Sequence, residues 1–374
     1  MLPKKSVRSL LAIAVILGIG GPLFWAGRHY GPVIATLPNS VATRVPVGLV
    51  VLRDARSLMG TVWEITVASR QKSRREVSAI VANAFAEIAR VDKVLSDWRD
   101  GTELNEVNRY AGIRPVPVSR DTYNVVERAY HFSEISNGAF DITFNVMWGV
   151  WDFKKHPPAL PHSAEIKRRL PLINYRNVIL NSETRTVFLR QKDMKIGLGG
   201  IGKGYAVDCV CALLERNGLK NYIVAGGGDM RVSGSRGKAP WRVAVQHPRK
   251  DGYLYLLGIT DAAVATSGDY ERYLILNGTR YHHILHPETG YPARGVCSVT
   301  IIAPNAMDAD ALATSVFILG VQKGLQLLKD TPGAEGIIVD ENMSSSMTNG
   351  LTVLKDESLE IPTVLLAQTR EKMK

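Results

Sequence analysis

Apolar residues recur at three- and four-residue steps through Val77, Ile80, Val81, Ala84, Phe85, Ile88, Val91 and Leu95, which predicts an amphipathic helix. A second helix follows from Ser119 as a cap, with Val125, Val126, Ala129, Phe132 and Ile135 on one face and Asn137-Gly138 closing it. Ahead of the first helix, "LMGTVWEITV" from Leu58 has the β-branched density of a strand. Between the helices, "SDWRDGTELNEVNRYAG" has no period and reads as a polar loop. "NVILNSETRTVFL" reads as a hairpin, and "YLILNGTRYHHI" as another turning at Asn277-Gly278. Further strands are expected at 222–225, 241–246, 253–259, 299–302 and 336–339, and helices at 204–215 and 307–319. Strands mostly follow strands, so the order predicts an α+β fold with antiparallel sheet rather than a doubly wound parallel one.

The N-terminus changes the picture. Lys4, Lys5 and Arg8 precede the apolar run Ser9 to Ala26, the layout of an export signal. Its length approaches that of a bilayer span. No small-x-small cleavage site follows it. Residues 1–27 are therefore expected to be a signal anchor, or else a cleaved signal peptide, and the basic flank would keep the N-terminus inside. The remainder would lie outside the cytoplasm, held to the inner membrane and facing the periplasm or cell exterior. Residues 28–55 are expected as a linker, 56–345 as the folded domain and 346–374 as a C-terminal extension.

The chain has 374 residues, is 45% hydrophobic and carries a formal net charge of +11. That suits a sizeable core and anionic ligands. No basic run is interleaved with aromatics, so no nucleic-acid partner is expected. Cys209, Cys211 and Cys297 have neither disulfide nor zinc spacing, and Cys209 and Cys211, in an apolar helical pattern, are expected to be buried, inert thiols.

The candidate chemistry begins with "IGLGGIGKGYAVD", Ile196 to Asp208. Gly197-x-Gly199-x-x-Gly202 has dinucleotide-turn spacing, but the preceding "RQKDMKI" is half charged and closes a hairpin. Lys203 is followed by Gly204, not Ser or Thr, so this is not a P-loop. An anion at the N-terminus of the helix that follows, or a turn used only for packing, remains. Asp141 lies amid apolar residues in "NGAFDITFNVMWGVWDF", as a cap or as an acceptor from a ligand hydroxyl. "VAGGGDMRVSG" puts Asp229 after three glycines, where a simple turn is the plain alternative. His282, His283 and His286 precede Pro-Glu-Thr-Gly. In a strand, 282 and 283 point to opposite faces, which disfavours zinc and favours one histidine as a general base. Asp310 and Thr314 share a helix face, with Asp308 close by. They are either hard oxygen ligands of the kind magnesium takes, or a helix cap with a back-bonded hydroxyl.

In order along the chain stand Met59-Gly60-Thr61, "LSDW", "FDIT", "GGIGKGYAVD", "GGGD", "SGDYERY", "H-x-x-x-P-x-T-G" and "DALAT". Over roughly residues 58 to 340, this ordered set resembles the FAD:protein FMN transferase (ApbE) family. The resemblance implies an α+β, T-fold-like architecture of two related halves, with antiparallel sheets and packed helices. It implies magnesium-dependent transfer of FMN from FAD to a threonine hydroxyl of an acceptor flavoprotein, a membrane redox subunit or another exported flavoprotein, with release of AMP. By the same resemblance, His283 is the base, and Gly200 (through its carbonyl), Asp310 and Thr314 hold Mg2+. Met59, Trp98, Ala139, Phe140, Asp141, Lys203 and Ile284 would contact FAD.

Two positions depart from the family's pattern. Gly197 stands at a flavin-contacting position where the family usually has Asp, and His286 stands where it often has Asp. The alternatives are an FAD pyrophosphatase, yielding FMN and AMP, and a non-catalytic exported flavin-binding protein.

Overall fold

The computed structural model describes residues 48–153, 157–235 and 239–354. The expected signal anchor (1–27) and the linker as far as residue 47 lie outside the described residues.

Strands β1 (Val50–Leu58) and β2 (Thr61–Ser69) form a hairpin. It turns at Met59 and Gly60, both left-handed at φ 48° and 71°, the conformation a two-residue hairpin turn demands. β1 thus begins inside the stretch expected as linker. Helix α1 (Arg74–Leu95) is held at its start by a reciprocal Ser73–Glu76 capping box and buries the periodic face. A short helix α2 (Glu103–Arg109), capped by Thr102, occupies the expected polar loop. Strand β3 (Val116–Pro117) leads to α3 (Arg120–Ile135), capped by Ser119 as expected. A 3-10 turn at Ile142–Met147 and helix α4 (Ser163–Arg169) precede the hairpin β4 (Val178–Asn181) and β5 (Thr186–Leu189).

Helix α5 (Gly202–Arg216) then leads into β6 (Asn221–Gly226) and β7 (Asp229–Ser233). Hairpin β8 (Trp241–Gln246) and β9 (Tyr253–Ile259) follows, then β10 (Ala262–Gly268). Hairpin β11 (Tyr273–Leu276) and β12 (Thr279–His282) turns at Asn277-Gly278, as expected. The last elements are β13 (Val296–Ala303), α6 (Ala306–Asp330), β14 (Glu335–Asp340) and β15 (Ser345–Met347).

Eight strands form one antiparallel sheet in the order β1-β2-β6-β7-β10-β13-β14-β15. The α+β class with antiparallel sheet is therefore as expected, and the central β7–β10 ladder joins β1-β2-β6-β7 to β10-β13-β14-β15 in one continuous layer. The side-chain period of two sends Trp63, Ile65, Val67, Tyr222, Val224, Val299 and Ile301 to one face. Helices α1, α5 and α6 pack there. Ile223, Met230, Val232, Val264 and Val339 go to the other face, under the β8–β9 hairpin. Residues beyond 345 belong to this body as far as Leu354, because Gly258 N donates to Thr352 O and Leu354 N to Leu256 O.

Two contacts position the site. Asp208 on α5 accepts from Ala306 N at 2.9 Å and Met307 N at 2.8 Å, so one carboxylate ties α5 to the start of α6. Gly204 faces the same place, and a Cβ there would overlap the Ala306 carbonyl. By length and composition α6 would suit a bilayer. Instead it buries Asp310 and packs under the sheet, and Gly320 (φ 79°) interrupts it.

Candidate active site

The first residues of α5, β7 and α6 meet beneath the sheet. Lys203, at the start of α5, extends its ammonium to within 3.0 Å of Asp229 Oδ2 and 3.1 Å of Asp310 Oδ2. Gly204 N donates to Asp310 Oδ2 at 3.2 Å. Both carboxylates are buried. Burial first, then the neighbouring Asp310 charge, hold the Asp229 carboxyl well above its ordinary range, and Lys203 offsets this only in part. Burial opposes the charge on Lys203, yet the two carboxylates outweigh it and raise the ammonium above its ordinary value. Asp229 Oδ2, although near the ammonium, has no hydrogen-bond donor among the described residues.

Thr314 lies one turn beyond Asp310, and a Cβ on Gly200 would stand 3.3 Å from its Oγ1. The Gly200 backbone thus lies beside Thr314, one turn from Asp310. Among the described residues no three His, Cys, Asp or Glu side chains form a metal cluster. A cation would be held by a mixed set of carboxylate, hydroxyl and carbonyl oxygens, which is the hard-donor chemistry of magnesium. The Asp310 carboxylate, the Thr314 hydroxyl and the Gly200 backbone fit that occupant. Asp308 is used elsewhere, in a two-point pair with Arg128 at 2.7 and 2.8 Å.

The other motifs reach this point through close backbone approaches. A Cβ on Gly227 would meet Thr61 Cγ2 at 2.9 Å and Lys203 Cδ at 3.1 Å, so the Met59-Gly60-Thr61 turn and the Gly-Gly-Gly-Asp turn flank the lysine. Gly227 is at φ 60°, where glycine is at home. Phe140 Cε2 would lie 3.2 Å from a Cβ on Gly200. Ala139, Phe140 and Ile284 are buried, whereas Trp98 is 58% exposed, with the Arg99 guanidinium 5.2 Å from its ring.

Asp141 spends both oxygens internally. Oδ1 accepts from Thr143 N and Oγ1 at 2.8 and 2.6 Å, and Oδ2 accepts from Tyr175 N at 2.8 Å. Of the two readings of Asp141, the structure shows the cap. Gly197 is pressed against Asn145, since a Cβ would stand 2.7 Å from Asn145 Cγ.

The histidines divide as strand alternation requires. His282 is buried with both ring nitrogens engaged, Nε2 to Ala293 O at 2.9 Å and Nδ1 accepting from Ile284 N at 3.3 Å. Burial pushes it down to about 4. His283 faces the other way and is only partly buried, while its Nδ1 has no hydrogen-bond partner. Burial, then the Arg272 charge and His282, hold it well below its ordinary value, with Lys203 adding to the effect. It is therefore a neutral imidazole at neutral pH. His286 Nδ1 accepts from Glu288 N at 3.3 Å, so the imidazole does the turn-capping work of a short acid.

Asp229 is the site residue that stood outside the expected set. Its signal was an acid directly after three glycines at the end of a strand. A buried ion pair with a residue elsewhere in the chain had no local trace.

A family model described as the ApbE family matches residues 59–338. The FAD:protein FMN transferase of Treponema pallidum is 34% identical over 303 residues, covering 76% of this chain and 83% of that protein. One from Klebsiella pneumoniae is 31% identical over 315 residues, covering 82% and 88%. Among solved structures, the ApbE protein of Thermotoga maritima superposes with a TM-score of 0.73 at 34% identity, covering 80% of this chain and 97% of that one. The flavin transferase ApbE of Vibrio cholerae gives 0.72 at 25% identity, covering 81% and 97%. Fold, ordered motifs and relatives agree: the chain belongs to the ApbE family.

Proposed function

We propose that this protein transfers the FMN half of FAD to a threonine hydroxyl of an acceptor flavoprotein and releases AMP. Asp310, Thr314 and the Gly200 carbonyl would hold a magnesium ion. The observation that carries the reading is Lys203 held between the buried Asp229 and Asp310 carboxylates, with Thr314 one turn beyond Asp310 and the Gly200 backbone beside it. Phosphoryl transfer asks a protein for charge neutralisation and positioning more than for covalent help.

The residues divide the work. His283, unprotonated at rest, accepts the threonine proton as its oxygen attacks the riboflavin-side phosphorus. The bond from that phosphorus to the bridging oxygen breaks, and the electron pair leaves with AMP. A bound anionic pyrophosphate would raise the histidine's basicity at the moment it is needed. Lys203 keeps Asp310 oriented and sets a positive charge beside the diphosphate. The magnesium supplies neutralisation of charge on the phosphate oxygens. The exposed Trp98 ring offers a stacking face for the flavin.

Anchoring at the inner membrane with the domain facing the periplasm belongs to the same proposal. It rests on the basic-then-apolar layout of residues 4–26. Alkaline extraction of membranes would test it, since an anchored chain stays in the pellet.

The decisive experiment incubates the protein with FAD, magnesium and a threonine-bearing acceptor, then weighs the acceptor. A gain of one FMN with matching AMP is expected, and Asp310→Ala should abolish it. AMP released at full rate without acceptor would replace transfer by hydrolysis. Tight FAD binding with no AMP under any condition would leave a carrier.

A further inference from the structure

The β11–β12 register pairs Tyr273 with His282. The next pair outward is therefore Arg272 opposite His283, and His283 N donates to Arg272 O at 3.1 Å. Directly opposed residues in an antiparallel pair share a face, with Cβ atoms about 4.5–5.5 Å apart. Arg272 thus stands beside the candidate base on the same side of the hairpin.

Its surroundings set it apart from the other arginines nearby. Arg249 makes a two-point pair with Asp269 at 2.6 and 2.7 Å, and Arg280 lies 3.8 Å from the same carboxylate. Arg294 donates to Arg280 O at 2.9 Å. No carboxylate among the described residues forms an ion pair with Arg272, which is open to solvent. Protein nonetheless crowds it, lowering its guanidinium from its ordinary value. A solvent-open cation with no ion-paired carboxylate, which the neighbouring Glu271 charge offsets only in part, suits a residue that takes an anionic ligand.

We propose that Arg272 binds the non-bridging oxygens of the phosphate that His283 serves, the FMN-side phosphate of FAD. This rests on the transferase reading. A nucleophile and its phosphorus approach to about 3–3.5 Å, so the residue paired with the base reaches oxygens of that same phosphate. A guanidinium fork matches them with two parallel hydrogen bonds. The Lys203 charge also bears on His283. The diphosphate would then be held between Arg272 on one side and Lys203 with its acids on the other. Nothing in this arrangement requires Arg272 for folding.

Equilibrium binding of three probes, FMN, AMP and riboflavin, to the parent, Arg272→Gln and Arg272→Lys proteins tests the assignment. Losing a charge-assisted contact should weaken FMN about tenfold to a hundredfold in Arg272→Gln. AMP and riboflavin should bind as to the parent, and Arg272→Lys should fall between. Unchanged FMN affinity would overturn the proposal. So would an equal loss for riboflavin, which has no phosphate and would report a disturbed pocket. A parent protein that binds neither FMN nor FAD would overturn the flavin reading itself, a separate failure with a separate signature.

Discussion

Asp310 Oδ2 lies 3.1 Å from the Lys203 ammonium and 3.2 Å from Gly204 N, so one carboxylate locks α6 onto the start of α5. Asp229 competes for the same ammonium at 3.0 Å, and its carboxyl is held well above the ordinary aspartate value of 3.8 by burial and by Asp310. An acid with a raised folded pKa binds its proton more tightly in the folded state. Stability is then lost as pH rises from 3.8 through that raised value. In chelator, Asp229→Asn should lose less stability than the parent as pH rises above the ordinary carboxylate range, as read by thermal melts. A steeper loss in the variant would refute the assignment.

The oxygen donors of Asp310, Thr314 and the Gly200 backbone predict stabilisation by cation. At a hundredfold excess over its Kd, magnesium should add about 2.7 kcal/mol to the parent protein. Asp310→Ala and Thr314→Ala should each remove most of that gain. Calorimetry of magnesium binding, with no flavin present, separates this from any effect on turnover.

His282 and His283 should fail in different ways. His283→Ala should cut transfer roughly 10²- to 10⁴-fold while leaving the melting temperature close to the parent's. His282→Ala should instead cost about 1–3 kcal/mol, because it leaves the Ala293 carbonyl and Ile284 N–H without partners. The pH profile follows from the sign of the shift. His283 sits well below 6.5, so transfer should be flat across neutral pH and fall only on the acid side of that value. A half-maximal point above pH 7 in the parent would contradict a base of this kind.

Local patterns in the sequence carried the elements whose burial is one-sided. The faces of α1 and α3, the Ser119 cap and the Asn277-Gly278 turn all state themselves within a few residues. Strands β7 and β10 escaped because both lie inside the sheet. "DMRVS" and "AAVATSG" carry small or charged residues where a legible strand shows a clean alternation. Helix α2 escaped because a short helix with two buried residues has no period to show. In the site, Asp310 and Thr314 were legible from a one-turn spacing. The Lys203–Asp310 pair spans 107 positions, and Asp229 joins it only through a strand that was itself unseen. The His286 substitution became intelligible once its Nδ1 was seen capping the turn, a role that depends on geometry rather than charge.

Gly197 is constrained by Asn145, which also donates to Ile196 O at 3.0 Å. Gly197→Asp alone would drive its Cβ into the Asn145 side chain and should cost about 1–3 kcal/mol by overpacking. Asn145→Ala opens the space. In the double variant the two costs should therefore add to less than their sum, by at least about 0.5 kcal/mol in a double-mutant cycle. Chemical denaturation of the four proteins measures this. Strict additivity would mean that Asn145 is not what excludes a side chain at 197.

Gly204 is where α5 and α6 come closest, and a Cβ there would overlap Ala306 O and crowd Met307 Cα at 2.8 Å. Both obstacles are backbone, so no rotamer change relieves them. Gly204→Ala gains helix propensity, worth about 1 kcal/mol in an open helix. The clash has the opposite sign and should win, because relief requires sliding one helix off the other. Such a shift would separate Gly204 N from Asp310 Oδ2 and pull Lys203 from the acid pair. The expected result is a loss of about 2 kcal/mol or more in stability, together with weaker magnesium binding. Ala206→Gly, two residues on, serves as the propensity control: it should cost about 1 kcal/mol plus a buried methyl and leave magnesium binding unchanged. If Gly204→Ala instead proved more stable than the parent and bound magnesium normally, the close approach of α5 to α6 could not be what positions the Asp310 carboxylate.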